Sequence, residues 1–242
     1  MGLKVGIIGL PNVGKSTIFN ALTKSSIPAE NYPFCTIDSN IAIIEVTDQR
    51  LNAIADIINP KSVTTTTVEF VDIAGLVRGA SKGDGLGNQF LSHIRDVDAV
   101  IHIVRSFKED NVTHVEGSLN PVRDVKIIET ELLIRDIFTV KKRIIKLKKT
   151  VGIGDKNSKE ELKILNIIYT KMNDGELVRD IQLDSNQIKL INPLFLLTNK
   201  PTLYVVNVDE DEIVKEKQSP LLQKLFDLAE KRDNVVIRLC GR

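Results

Sequence analysis

The sequence predicts an α/β fold: a mostly parallel sheet with helices on both faces, plus an antiparallel helical hairpin inserted between two strands. Three observations predict it. Apolar Val/Ile runs alternate with amphipathic stretches along most of the chain, the alternation is interrupted once, and the interrupting stretch has helical periodicity. Continuous apolar runs mark strands buried on both faces, which is the condition of a parallel sheet covered by its crossover helices.

In order, Lys4–Ile8 is the first strand and Lys15–Lys24 the first helix. Ile41–Val46 is a strand, Gln49–Ile58 a helix, and Val68–Asp72 a strand. Asn88–Val97 is a helix and Ala99–Val104 a strand. Leu203–Val206, Pro220–Lys231 and Val235–Leu239 complete a six-stranded sheet as strand, helix and strand. Between Pro121 and Thr198 the rhythm breaks. Leu133, Ile137, Val140, Ile144, Leu147 and Val151 recur at steps of four and three, a heptad seam on one long helix. Gly152-Ile153-Gly154-Asp155 reads as a turn. Leu162, Leu165, Ile168 and Met172 form a second stripe, ended by Asn173-Asp174-Gly175. A short helix over Ser185–Leu197 returns the chain to the sheet. The expected division is a nucleotide-binding domain over 1–137 and 200–242 and a hairpin over 138–199.

Composition narrows the function classes. With 33 Lys+Arg against 32 Asp+Glu, the net charge of +1 leaves nucleic-acid contact to a local patch. Cys35 and Cys240 lie far apart, which fits a reducing compartment. The N-terminus lacks a signal-peptide pattern, and Gly6 stands where myristoylation needs Ser or Thr. No uncharged apolar stretch is long enough to span a bilayer. A cytoplasmic monomer with no membrane partner is expected. Aromatics are few and Trp is absent, which disfavours a base-stacking platform for single strands.

Gly9-Leu10-Pro11-Asn12-Val13-Gly14-Lys15-Ser16 fits G-x-x-x-x-G-K-[ST], between a strand and a helix. Such a loop turns its N–H groups toward phosphate oxygens, and the helix N-terminus adds partial positive charge. Asn12, Val13, Gly14, Lys15, Ser16 and Thr17 are the expected phosphate-binding residues. Lys15 would reach the β- and γ-phosphates, and Ser16 would hold Mg²⁺. Asp72-Ile73-Ala74-Gly75 follows the third strand. In switch-type NTPases such an Asp binds Mg²⁺ and the Gly N–H senses the γ-phosphate. The run of Gly79, Gly83, Gly85 and Gly87 reads as a mobile switch segment. Thr36, between the first helix and second strand, would complete the Mg²⁺ shell. After the fifth strand, guanine-specific switch proteins carry Asn-Lys-x-Asp. Here the loop is Asn207-Val208-Asp209-Glu210, with Lys replaced by Val and the acid longer by one methylene. A damaged guanine clamp predicts that ATP is accepted or preferred, with GTP as the alternative.

These motifs together resemble the YchF family, the Obg-like ATPases. The carrying residues are Gly9–Ser16, Asn31-Tyr32-Pro33-Phe34-Cys35-Thr36, the stretch Asp72–Phe90 and Asn207–Glu210. The resemblance covers nearly the whole chain and implies a P-loop NTPase of the Ras-like G-domain type: a Mg²⁺-dependent ATPase switch associated with ribosomes. An inserted helical segment after the fourth strand is a family trait. So are a last helix and a C-terminal TGS domain, both expected to be absent because the sequence stops at Leu239-Cys240-Gly241-Arg242. The last base-binding loop would start near Cys240 and be cut.

Leu76 stands where many switch GTPases place a water-orienting Gln, so slow turnover is expected. His114, in the polar loop Ser106–Asn120, is the candidate water-positioning residue; His93, on the helix after the glycine run, faces either the switch or solvent, and His102 reads as a core histidine. With Lys15 and Gly75, His114 makes up the expected catalytic set. Asn12 either satisfies the loop backbone or helps hold a K⁺ beside the phosphates. The basic run Lys141–Lys149 is either a solvated helix face or a salt-dependent contact for ribosomal RNA. The other functions weighed are an Obg-type GTPase and a nucleotide-binding module with negligible hydrolysis.

Overall fold

The computed structural model describes residues 2–24, 40–73, 93–108, 117–150, 156–215 and 219–241. Six strands form one sheet in the order β2-β3-β1-β4-β5-β6. They are β1 (Leu3–Gly9), β2 (Ile41–Glu45), β3 (Thr67–Asp72), β4 (Ala99–Ser106), β5 (Thr202–Val208) and β6 (Val236–Leu239). All neighbouring pairs are parallel except β2 with β3. The central strands β1, β4 and β5 are the most buried, in keeping with their largely apolar sequences. Because β1, β3, β4, β5 and β6 run the same way, Gly9, Asp72, Ser106, Val208 and Leu239 all end at one edge of the sheet.

Helices α1 (Lys15–Lys24) and α2 (Gln49–Ile58) have the bounds expected from the sequence. Local chemistry sets the ends of α2. The Asp48 side chain accepts from the Arg50 N–H at its start, and Asn59 takes the left-handed conformation at its end. Helix α3 (Pro121–Thr150) and helix α4 (Lys156–Asn173) pack together as the hairpin. The return helix α5 (Ser185–Ile191) is shorter than expected. It opens on an Asp184/Gln187 capping box, and the expected helical stretch to Leu197 instead contains separate 3₁₀ turns at Asn192–Leu194 and Leu197–Asn199. Pro193 is the physical reason, since proline has no N–H to continue the helical ladder. Helices α6 (Glu210–Val214) and α7 (Pro220–Glu230) complete the fold. Among the described residues, no helix is long and apolar enough to cross a membrane.

Helix α3 serves two cores. Ile127, Ile128 and Leu132 pack in the sheet cluster with Ile7, Ile8 and Val205. From Leu133 onward the buried positions Val140, Ile144 and Leu147 join Leu165, Ile168 and Met172 in a second cluster. The heptad seam is therefore real, with Ile137 partly buried and Val151 outside the described residues. Thirty residues of α-helix span about 45 Å, so one rigid element carries the insertion out from the sheet.

Two buried acids on α3 fasten this junction. Glu129 accepts from Tyr204 Oη on β5 at 2.8 Å and from Arg232 Nη1 at 2.9 and 3.0 Å, and it pairs with Arg179. Two turns further along the helix, Asp136 accepts from the Leu197 and Thr198 N–H groups at 2.8 and 2.7 Å and from the Thr198 hydroxyl at 2.7 Å. These bonds hold the turn that leads straight into β5. His102 lies in the core beside Tyr204, ring centroids 5.9 Å apart, and burial pushes its imidazole down to about 4. It is neutral in the folded chain and 2% exposed, as expected of a core histidine.

Candidate functional site

The loop between β1 and α1 begins with Gly9 and turns on Asn12 and Gly14, whose φ values are 62° and 90°. Asn is among the residues that tolerate the left-handed region, which gives Asn12 a backbone reason to be there. Gly14 is constrained twice. Its φ disfavours any side chain, and a Cβ would lie 2.3 Å from Asn207 Nδ2. Helix α1 starts at once: the Ile18 N–H donates to the Gly14 carbonyl at 3.1 Å. The loop thus presents amides at a helix N-terminus, an arrangement that binds anions. Its outer side forms a cleft of about 430 Å³ lined by Pro11, Asn12, Gly14, Lys15, Ser16 and Thr17, among others.

The Lys15 ammonium donates to Asp72 Oδ1 across the gap between α1 and the end of β3. The structure therefore brings together the two charged residues that the motifs singled out separately. On the other side of the loop, Asn207 at the end of β5 donates from Nδ2 to the Val13 carbonyl at 3.1 Å. Its Oδ1 accepts from the Gly241 N–H at 3.0 Å, so one amide ties the loop to the segment after β6. A smaller cleft of about 170 Å³ opens here, lined by Gly14, Thr17, Phe107, Asn207, Val208, Asp209, Cys240 and Gly241. The segment expected to be cut thus still supplies two wall residues.

Glu210, expected in this pocket, instead lines an adjoining cleft with Ser106, Lys108 and Ser219. The acid on the smaller cleft is Asp209. It stands at the N-cap of α6 and accepts from the Lys108 N–H at 3.2 Å. Beginning α6 at Glu210 accounts for the difference, because the chain turns away from the cleft there. Gly75, Thr36, His114, Leu76 and the glycine run lie outside the described residues.

Sequence reasoning missed Arg105, Phe107 and Asp209. Arg105 is 3% exposed at the end of a central strand. Its signal was available: a charge directly abutting a long apolar strand must find partners on folding. Phe107 and Asp209 gave no signal distinct from ordinary loop residues.

The fold and the loop define a P-loop nucleotide-binding domain. A family model described as "50S ribosome-binding GTPase" matches residues 4–134. A curated relative from Pasteurella multocida, "Ribosome-binding ATPase YchF", is 48% identical over 241 residues, covering 100% of this chain and 66% of the relative. One of the same name from Bacillus subtilis is 46% identical over 242 residues, with the same coverage. The solved structure of the Schizosaccharomyces pombe YchF GTPase superposes with a TM-score of 0.82 at 39% identity, covering 99% of this chain and 66% of that one. The chain belongs to the YchF family. It spans 66% of the length of these relatives, so their sequences extend beyond what this chain represents.

Proposed function

We propose that this chain is the nucleotide-binding part of a Mg²⁺-dependent ATPase switch that works on the ribosome. One observation carries the reading: Lys15, Asp72 and Asn207, from three separate motifs, converge on the loop around Gly14. In this reading the amides of Asn12–Thr17 hold phosphate oxygens, and Lys15 leaves Asp72 to bind the terminal phosphates. Ser16, Asp72 and Thr36 are the residues that would hold Mg²⁺, Asp72 by way of water. The ion neutralises charge between the phosphates and prefers oxygen ligands, which these residues supply. Loop, acid and base cleft all come from one chain, so the site needs no second copy.

ATP is the favoured nucleotide. The guanine clamp is altered in sequence: Val208 stands where it carries Lys, and the acid at its Asp position is the longer Glu210, which lines the adjoining cleft while Asp209 lines this one. The S. pombe relative is called a GTPase and the bacterial ones ATPases, so calorimetry with both nucleotides is the direct test. ATP is expected to bind at least as tightly as GTP, with loss of affinity in Lys15→Ala. GTP binding ten-fold tighter would overturn the base assignment, and binding of neither nucleotide would overturn the site.

Turnover is slow in this reading, because Leu76 cannot orient water. His114 positions it, with Lys15 and the Gly75 amide stabilising the γ-phosphate. His114→Ala should lower single-turnover hydrolysis by ten-fold or more while ATP affinity holds. Unchanged turnover would remove His114 from the site.

The partner is ribosomal RNA, met by the outer part of α3. Lys141, Lys142, Lys146, Lys148 and Lys149 are exposed there, while Arg143 is engaged with Glu161 at 2.6 and 2.8 Å. The bipartite core of α3 leaves these lysines on the part of the helix that packs in the hairpin cluster. Reversing Lys141, Lys142, Lys148 and Lys149 to Glu should weaken ribosome co-sedimentation and flatten its salt dependence, with ATP binding unchanged. Undiminished co-sedimentation would make the stretch a solvated face only.

A further inference from the structure

Arg105 has no role in the motifs that define the family resemblance, yet it occupies the floor of the site. In the register of β4 against β5 it stands opposite Asn207. Its Nη1 donates to the Asn12 carbonyl at 3.3 Å, while Asn207 Nδ2 donates to the next carbonyl, Val13, at 3.1 Å. One row of the sheet therefore supplies donors to two successive carbonyls of the phosphate loop. Holding those carbonyls toward the sheet helps fix which way the loop amides face. The same guanidinium turns its other edge to Phe107. Nε donates to the Phe107 carbonyl at 3.2 Å, and Cζ lies 4.3 Å from the ring centroid. Phe107 in turn lines the smaller cleft with Asn207 and Val208.

We infer that Arg105 is a positioning residue that couples the wall of the base cleft to the phosphate loop, so that the two ends of the nucleotide are bound cooperatively. The inference rests on the nucleotide reading above. The planar fork is what the role requires: three features of one rigid group face the loop carbonyl, the Phe107 carbonyl and the Phe107 ring. Lysine offers a point charge on a flexible stem and cannot serve all three at once. A guanidinium over an aromatic face is also a favourable contact in its own right, and more so when desolvated.

The test compares Mg·ATP with Mg·tripolyphosphate, which has the phosphates but no base. Both affinities are measured by calorimetry in the wild-type chain, Arg105→Lys and Arg105→Gln, with unfolding midpoints taken without ligand. Arg105→Lys retains a cation for the loop, so tripolyphosphate affinity should stay within about three-fold of wild type. ATP affinity should fall about ten-fold, and the ratio of the two affinities should fall with it. Arg105→Gln should lose affinity for both ligands and show the same compressed ratio. General loosening of the domain would lower both affinities by one factor and leave the ratio unchanged. An unchanged ratio in whichever variant folds, with wild type binding both ligands, overturns the role of Arg105 alone. A wild-type chain that binds neither ligand overturns the nucleotide reading and this inference together.

Discussion

Gly14→Ala is expected to weaken ATP binding by at least about 100-fold, a loss of about 2.7 kcal/mol. Two physical effects act at one atom. An L-residue at φ 90° stores strain of order 1–3 kcal/mol. The new Cβ would also sit 2.3 Å from Asn207 Nδ2, which already spends its hydrogen bond on the Val13 carbonyl. The loop and the Asn207 amide cannot both keep their places, so the substitution acts on the phosphate end and the base end together. Gly175 supplies the control. Its φ of 92° is equally unfavourable to a side chain, but nothing lies within 4 Å of its Cβ position, and it follows α4 in the insertion. Gly175→Ala should therefore cost stability on the order of 1 kcal/mol and leave ATP affinity unchanged. Calorimetry on both variants, with thermal midpoints alongside, checks the pair. If Gly14→Ala binds ATP like wild type, the loop is not the phosphate site.

What the sequence disclosed and what it hid divide along a physical line. Helices α1 and α2 were legible to the residue because their ends are written locally: Gly14 precedes one, and Asp48 and Asn59 bracket the other. The central strands β1, β4 and β5 were legible because burial on both faces leaves largely apolar runs of Val and Ile. The antiparallel direction of β2 was not, since alternation of residue types carries no record of a neighbour's direction. Within α3, periodicity announced a helix but could not say that Leu132 faces the sheet core and Leu133 the hairpin core. The acids Glu129 and Asp136 lie in a charged helix and look solvated on paper. Only the approach of Tyr204, Arg232 and Thr198, all distant in sequence, buries them. Asp72 and Lys15 carried their own motifs, whereas Glu210 was placed by spacing alone. The start of α6 moved that residue off the cleft.

The lost interaction with the greatest cost to stability should be that of Asp136. Its carboxylate is 1% exposed and accepts three hydrogen bonds from the turn ahead of β5. Asp136→Ala leaves two N–H groups and a hydroxyl without that acceptor. At about 1–3 kcal/mol for each buried group left unsatisfied, and with the hydroxyl free to rotate, the expected loss is about 3–5 kcal/mol. Asp136→Asn should cost less, because its carbonyl still accepts while its NH₂ meets one donor head-on. That variant also isolates a pH dependence. Burial pushes the Asp136 carboxyl up to about 6 from 3.8, against the opposing pull of its hydrogen bonds. Between those values the folded chain keeps a proton that the unfolded chain has released. The carboxyl's contribution to stability therefore falls as pH rises through the window, by about 3 kcal/mol in all, and is constant above it. His102, held down to about 4 from 6.5, has the opposite sign: its contribution is lost as pH falls through nearly the same window. The two slopes oppose each other in the wild-type chain and would mask one another in a single titration. Subtracting the Asp136→Asn stability from wild type, by urea unfolding between pH 4 and pH 7, cancels the histidine. The difference should shrink as pH rises; a difference independent of pH would mean that Asp136 stays ionised throughout, its three donors outweighing its burial.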